Sequence, residues 1–331
     1  MLQGSTAERV NRTPLARLGR AVLVASVCAV LAGAAFCGPD SSSNAAAANA
    51  RAGPEHGAPP ILVGAGDIVS CSDPRGAAAT AALLDEIPGV VFTAGDLAYI
   101  EWYWSIFPTT GFARCYDGTW GRHKARTRPA PGNHEYEYFP FPGRAYFTYF
   151  GVNAGERGKG YYSYDLETWH VVVLNSNCAE SGGCGPGSPQ EQWLRHDLQT
   201  HGRSCIAAYW HHPLFSSGPH GGSQEVKPFW DALHQAGATV VVNGHDHDYE
   251  RFGLLDSEGR ADPERGIREF VVGTGGAEHY EFRRTTVSGS EVRNNDTFGV
   301  LKLTLHEASY EWQFVPEAGR SFTDHGAGRC H

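Results

Sequence analysis

The sequence predicts an α/β fold in which two β-sheets pack together and are flanked by helices. The first observation behind this is a βαβ pattern: an apolar run at Ile61 to Gly64, a helix-forming stretch rich in Ala and Leu from Gly76 to Ile87, and a second apolar run at Val90 to Ala94. The second is a change of character in the last third, where strand-like runs follow one another with few helices between them. That is the pattern of a second sheet packed on the first. A third observation concerns chemistry. Five short segments built around Asp, Asn or His follow strand-like runs, and in α/β sheets the carboxyl ends of strands are where ligands bind.

Taken in order, the chain opens with a leader. Arg9, Arg12, Arg17 and Arg20 precede an uncharged stretch from Ala21 to Cys37, and Ala32-Gly33-Ala34 offers a small-residue cleavage pattern. Residues 1–37 therefore read as a secretory signal peptide. A membrane anchor is the competing reading, and the apolar stretch falls short of the about 20 residues a span needs. Residues 38–60 are Ser, Ala, Asn, Gly and Pro with almost no large apolar side chain, a composition that cannot offset the entropy of ordering and reads as a disordered linker. The catalytic domain is expected over 61–331.

Beyond the βαβ unit, Trp169 to Asn175 and Cys205 to Trp210 read as strands, and Pro189 to His201 as a helix with Pro in its first turn and Trp193, Leu194 and Leu198 at helical spacing. Val226 to Ala236 reads as a helix feeding a strand at Ala238 to Val242. Arg268 to Thr274, Phe298 to Leu305 and Ser309 to Pro316 complete the strands.

The chain has 331 residues, 41% apolar, which suffices for one large core. A net charge of −9 and a pI near 6.0 argue against wrapping nucleic acid, which needs a basic surface. Outside the leader stand Cys71, Cys115, Cys178, Cys184, Cys205 and Cys330. An even number in an exported chain is compatible with disulfides, and Cys178 with Cys184 is the one local pairing suggested by a short flexible loop. No C-x-x-C pair supports a structural zinc site.

The five segments are Gly66-Asp67, Gly95-Asp96-Leu97-Ala98-Tyr99, Gly132-Asn133-His134-Glu135, Trp210-His211-His212-Pro213 and Gly244-His245-Asp246-His247. Cleaving a phosphate ester requires neutralising its anionic oxygens and activating water, which two metal ions about 3.5–4 Å apart accomplish. Such a pair needs a bridging carboxylate and further N and O ligands for each ion. Asp96 can bridge, with Asp67, Tyr99 and His247 on one ion and Asn133, His211 and His245 on the other. His134, beside Asn133, is the candidate for proton donation, with Glu135 placed to orient it.

With these motifs in order from Asp67 to His247, the chain resembles the purple acid phosphatases of the calcineurin-like metallophosphoesterase superfamily. The resemblance covers roughly Ile61 to Phe314 and implies a four-layer sandwich of two mixed β-sheets flanked by helices. It implies Fe(III) held by Asp67, Asp96, Tyr99 and His247, and a divalent ion (Zn, Fe or Mn) held by Asp96, Asn133, His211 and His245. Val69 stands where most other superfamily members place a histidine ligand, and the hard phenolate of Tyr99 suits Fe(III) in its stead. The two ions less Asp67, Asp96 and a Tyr99 phenolate leave a centre of about +2, suited to a phosphate dianion.

The family pattern also makes His211, followed by x-Pro, the ligand, and His212 a neighbour that touches the substrate or stacks above it. His220 matches a substrate-contacting histidine of the plant enzymes. Alternation along an extended segment would put His245 and His247 on one side and Asp246 on the other, with Tyr249-Glu250-Arg251 fixing the loop from behind. Trp102, Trp104, Phe107 and Trp120 are candidates for an aromatic rim above the metals, or for ordinary packing. The function implied is an exported acid phosphomonoesterase acting by attack of a metal-held hydroxide, secreted or at the cell surface or periplasm. A small phosphate ester is its partner, no stable membrane span is expected, and the oligomeric state is left open. A phosphodiesterase for nucleotides or phospholipid head groups, and a non-catalytic secreted metal-binding module, are the alternatives.

Overall fold

The computed structural model describes residues 57–99, 112–137, 141–202 and 205–331. The leader, most of the linker, Trp102, Trp104 and Phe107 lie outside these residues. The first half of the described chain runs through β1 (Ile61–Ala65), β2 (Val69–Ser70), α1 (Arg75–Glu86), β3 (Val90–Ala94), β4 (Ala98–Tyr99), β5 (Thr127–Ala130), α2 (Arg144–Phe150), β6 (Tyr162–Leu166) and β7 (Trp169–Val173). Then come α3 (Pro189–Thr200), β8 (Cys205–Tyr209), α4 (Lys227–Gln235), β9 (Val240–Asn243), β10 (Tyr249–Leu255), β11 (Ile267–Val272), β12 (Ser290–Asn294), β13 (Gly299–Leu305), β14 (Ser309–Pro316) and β15 (His325–Arg329).

Thirteen of these strands form two mixed sheets, ordered β15-β14-β13-β1-β3-β5 and β12-β10-β11-β9-β8-β7-β6, and β2 pairs parallel with β4 in a small third sheet. In the first, β1, β3 and β5 run parallel, with α1 completing the expected βαβ unit between β1 and β3. In the second, β7, β8, β9 and β11 run parallel and antiparallel strands flank them. The last third does not form the second sheet by itself. β10, β11 and β12 join that sheet, whereas β13, β14 and β15 return to the first, where β13 pairs antiparallel with β1 (Ile61 opposite Thr304). This return covers the side of β1 that would otherwise be an open edge.

Aromatic side chains meet between the sheets: Phe92 with Tyr209 at 5.5 Å between ring centroids, Phe270 with Trp312 at 5.8 Å, and Tyr249 with Phe314 at 4.7 Å. Alternation along β14 buries Tyr310, Trp312 and Phe314 on this side. The other face of the second sheet buries Val172, Ile206, Ala208 and Val241 with Leu194 of α3 and Phe229, Trp230 and Leu233 of α4. α3 begins as its sequence suggests, with the Ser188 hydroxyl accepting from the Glu191 N–H (3.3 Å) and Pro189 in the first turn. Trp120 is fully buried, its indole N–H donating to the Thr80 hydroxyl (2.9 Å), so it packs in the core. Among the described residues no helix is long and apolar enough to cross a membrane.

Three disulfides cross-link the domain. Cys178–Cys184 is the local pair; Cys71–Cys115 and Cys205–Cys330 join distant segments, the last tying the C-terminus to β8.

A buried ion cluster fastens α3 to the edge of the second sheet. His170 of β7 lies with Nδ1 2.8 Å from Asp165 of β6 and Nε2 2.7 Å from Asp197 of α3, and its ring stacks on His201 at 4.2 Å. Burial alone would lower the His170 pKa, but hydrogen bonds to Asp197 and Asp165 outweigh it and raise the pKa above the ordinary value. A raised folded pKa makes this stabilisation complete below about pH 6.5, the unfolded value, and removes it as pH climbs through the folded one. Urea unfolding of wild type and His170→Gln should therefore differ most in acid, the gap narrowing as pH rises; a gap that widens with pH would contradict the cluster's charge.

Candidate metal centre

Six of the seven predicted donors lie just beyond a parallel strand or in the loop that follows it, and Tyr99 ends β4, the two-residue strand in the connection after β3. Asp67 follows β1, Asp96 follows β3, Asn133 follows β5, His211 follows β8 and His245 follows β9. The turns are sharp: Asp67, Asp96 and His245 have φ of 58°, 51° and 77°, a region costly for residues with a Cβ and found where a site over-determines the backbone. Residues 245–248 accordingly form a bend rather than the extended segment expected from alternation, with the Asp246 N–H bonded to Gly244 O. Both histidines still face the centre, because the bend turns the chain at each of them.

The glycines before the donors are required for space. A Cβ on Gly132 would overlap the Asp96 carboxylate and amide, and one on Gly95 would overlap the His211 ring.

The side chains gather into two groups that share one atom. On one side the Tyr99 hydroxyl lies 2.9 Å from Asp67 Oδ1, 3.3 Å from Asp96 Oδ2 and 2.9 Å from His247 Nε2. On the other, His211 Nε2 lies 3.1 Å from the same Asp96 Oδ2, 3.0 Å from Asn133 Oδ1 and 3.2 Å from His245 Nδ1. The outer carboxylate oxygens are engaged by backbone N–H groups: Asp67 Oδ2 accepts from His245 (2.8 Å) and Asp96 Oδ1 from His134 (2.9 Å). Two rings are aimed in the same way. Nδ1 of His211 pairs with Ala94 O (2.8 Å) and Nδ1 of His247 with Glu278 O (2.6 Å), which puts the proton there and leaves each Nε2 as a donor to the centre.

Electrostatics follow from packing these groups together. Burial opposes ionisation of Asp96, but the His211 charge and hydrogen bond prevail and hold its carboxyl far below the ordinary range. Burial pulls His211 down, and Asp96 reverses this and lifts it to about 9. Burial, reinforced by the Asp67 and Asp96 charges, pushes the Tyr99 phenol well above 10. Burial, with the His211 charge, lowers His245 and takes His212 down to about 3. The donors are two carboxylates, an amide oxygen, a phenol and three imidazoles, the hard and borderline set that suits ferric and first-row divalent ions. These residues fit a two-metal site, and burying two carboxylates together favours cations between them.

The remaining predicted residues flank the centre. His134 is one-third exposed, with its ring 4.4 Å from the Tyr99 ring and Nε2 3.9 Å from Asp96 Oδ2. Its Nδ1 contacts Glu137 at 2.9 Å, not Glu135. Glu135 is instead buried underneath, accepting from the N–H groups of Asp96 (3.0 Å), Leu97 (2.9 Å) and Gly132 (2.7 Å). The sequence adjacency misleads because the turn after Asn133 sends consecutive side chains in opposite directions. His212 is held by Ser176 Oγ at 2.8 Å from Nδ1, and His220 by Asp246 at 2.9 Å; both rings lie 4.4 Å from that of His245. Sequence reasoning missed Tyr280, whose ring stacks on His247 at 3.8 Å. Its signal was available: Gly273-Thr274-Gly275-Gly276 is a glycine-rich loop after β11, placed like the other donor loops. Within the Tyr249-Glu250-Arg251 segment, Glu250 accepts from Ser217 in the stretch leading to His220, whereas Arg251 pairs with Asp324 and Glu291 rather than with residues 244–247.

Two packed mixed sheets with a bipartite donor centre at their strand ends define the metallophosphoesterase class of folds. The chain belongs to the calcineurin-like phosphoesterase family, whose model matches residues 56–249 and so takes in every donor from Asp67 to His247. Its curated relatives in Arabidopsis thaliana include probable purple acid phosphatase 20, 30% identical over 184 residues (50% of this chain, 40% of that protein), and purple acid phosphatase 22, 28% identical over 263 residues (70% and 56%). The chain spans about half the length of these relatives. Among solved structures it is similar in fold to a purple acid phosphatase from yellow lupin (Lupinus luteus) seeds, with a TM-score of 0.66 at 18% identity over 81% of this chain and 53% of that one. GAP50, the anchor in the inner membrane complex of Plasmodium, gives 0.60 at 13% identity over 81% and 88%.

Replacing Gly132 by Ala should cost roughly 1–3 kcal/mol in urea unfolding through overpacking, together with a loss of bound metal as Asp96 is displaced. Gly185→Ala is the control, since a Cβ there meets nothing within 4 Å. Equal behaviour of the two variants would show that the Gly132 contact does not constrain Asp96.

Proposed function

We propose that this chain is an exported acid phosphatase that hydrolyses phosphate monoesters at a dinuclear metal centre. The observation that carries this reading is the single oxygen, Asp96 Oδ2, shared by two donor groups of different character. Asp67, Asp96, Tyr99 and His247 would hold Fe(III), and Asp96, Asn133, His211 and His245 a divalent Zn, Fe or Mn ion. Such a pair supplies charge neutralisation for a phosphate and a lowered pKa for water.

The chain's own residues supply binding and proton transfer. His134 lies against Tyr99, and His212 and His220 lie against His245, proximity that supports hydrogen bonds from all three to the phosphate oxygens. His134 is the proton donor to the leaving alcohol. It is partly exposed, and Glu137 at its Nδ1 keeps a proton on that nitrogen and turns Nε2 inward. Burial keeps His212 neutral in acid, so it accepts from Ser176 or donates one proton but adds no charge. Tyr280, stacked on His247, closes one side of the site. Export is supported by the sequence of the leader and by the three disulfides. The monoester preference takes its support from the names of the Arabidopsis relatives, which are purple acid phosphatases.

Turnover of p-nitrophenyl phosphate beside bis-p-nitrophenyl phosphate, from acid to alkaline pH, tests the proposal. The expected outcome is a monoester preference with an acidic optimum, and a loss of about 10²–10⁴-fold in kcat for His134→Ala with metal content unchanged. A diester preference would shift the function to phosphodiester cleavage, and unimpaired turnover in the variant would remove His134 from proton transfer.

A further inference from the structure

Beneath the His220 side of the centre, Asp246 is fully buried and gathers an unusual number of donors. Its Oδ1 accepts from the His220 N–H (2.9 Å) and lies 2.9 Å from His220 Nδ1. Its Oδ2 accepts from the Gly221 N–H (3.2 Å) and from the Ser216 hydroxyl, whose oxygen in turn accepts from the Gly218 N–H (3.0 Å). Gly218 is packed so closely that a Cβ there would overlap the Asp246 carboxyl group. Glu250 grips the same segment through the N–H and hydroxyl of Ser217, both at 2.7 Å. Against this buried clamp the His220 ring stands in the open, 46% exposed, beside the rings of His245 and Tyr280.

We propose that Asp246 is a positioning residue for His220, fixing both the tautomer and the direction of its ring at the phosphoester site. The proposal rests on the phosphoesterase reading and extends it to a residue that donates nothing to a metal. A carboxylate can only accept, so the nitrogen facing it must carry a proton. Nδ1–H is thereby turned toward the protein, and Nε2, across the ring, is the atom offered to a substrate oxygen. The two backbone N–H bonds matter as much as the ring contact. They anchor the segment that carries His220 to the bend that carries His245 and His247, so substrate contact and donor set keep one register. Asp246 thus explains why a buried acid stands between two histidines that face the other way. A role in stability alone would leave the His220 tautomer unspecified.

Two measurements on the full chain test this. In zinc-loaded protein, the imidazole ¹⁵N resonances of His220, assigned by their loss in His220→Ala, should report a proton on Nδ1. A bare Nδ1 would overturn the proposal whether or not the protein turns over any substrate. In kinetics, Asp246→Ala and His220→Ala should each lower kcat/KM for p-nitrophenyl phosphate by roughly 10- to 100-fold with metal content retained. The double variant should be no worse than the poorer single one, because both remove the same function. Independent, multiplying losses would refute positioning. Should Asp246→Ala fail to fold, Asp246→Asn takes its place: one amide oxygen can satisfy only part of the four donors that meet the carboxylate. The Nδ1 result with a wild type inactive on all phosphate esters would count against the phosphoesterase reading and leave the clamp intact.

Discussion

The Asp96 carboxylate is the constraint around which the centre is built. It is buried, it sits at positive φ immediately after β3, and its two oxygens serve different masters. One accepts from the backbone at His134, while the other faces Tyr99 on one side and His211 on the other. Its own amide is held by Glu135 from below. An ionised carboxylate removed from water needs compensation by donors or cations. The neighbouring loops supply the donors, and the six oxygen and nitrogen atoms that Asp67, Tyr99, Asn133, His211, His245 and His247 gather about its Oδ2 form a set that fits cations.

The two-sheet architecture makes this convergence possible. β1, β3 and β5 deliver Asp67, Asp96 and Asn133 from one sheet, and β8 and β9 deliver His211 and His245 from the other. The bipartite donor set thus spans both sheets, joined by bonds such as Gly66 N–H to Val272 O (2.8 Å) and Gly275 N–H to Gly66 O (2.9 Å). Aromatic pairs between the sheets fix their separation, and with it the distance between donors from opposite sides. The candidate metal centre lies in the strand-end loops, and the core sets how closely they can approach.

Much of this was legible in the sequence. The convergence of Asp67, Asp96, Tyr99, Asn133, His211, His245 and His247 followed from strand-end motifs, because the chemistry of a two-metal site restricts which residue types can stand there, whereas His212 and His220 beside them came from the resemblance to the purple acid phosphatases. The βαβ unit and β14 followed from periodicity. What the sequence concealed depends on turn geometry and on contacts distant along the chain. Glu135 is adjacent to His134 yet points underneath it, and Glu137 makes the contact instead. The bend at 245–248 replaces an extended segment. β13 and β14 share the strand-like composition of β11, yet pairing with β1 sends them to the other sheet, which local composition does not encode, and β15, with Gly326 and Gly328, carries no strand signal of its own. Cys71–Cys115 and Cys205–Cys330 are invisible for the same reason, whereas Cys178–Cys184 closes a short loop.

Elemental analysis of the purified protein beside its Asp96→Asn variant tests the central claim most directly, that one carboxylate oxygen serves two donor groups. Two metal ions per chain are expected in the wild type, with loss of both from Asp96→Asn while the circular dichroism of the fold persists. A variant that keeps both ions, or a wild type that binds only one, would contradict the shared-carboxylate account.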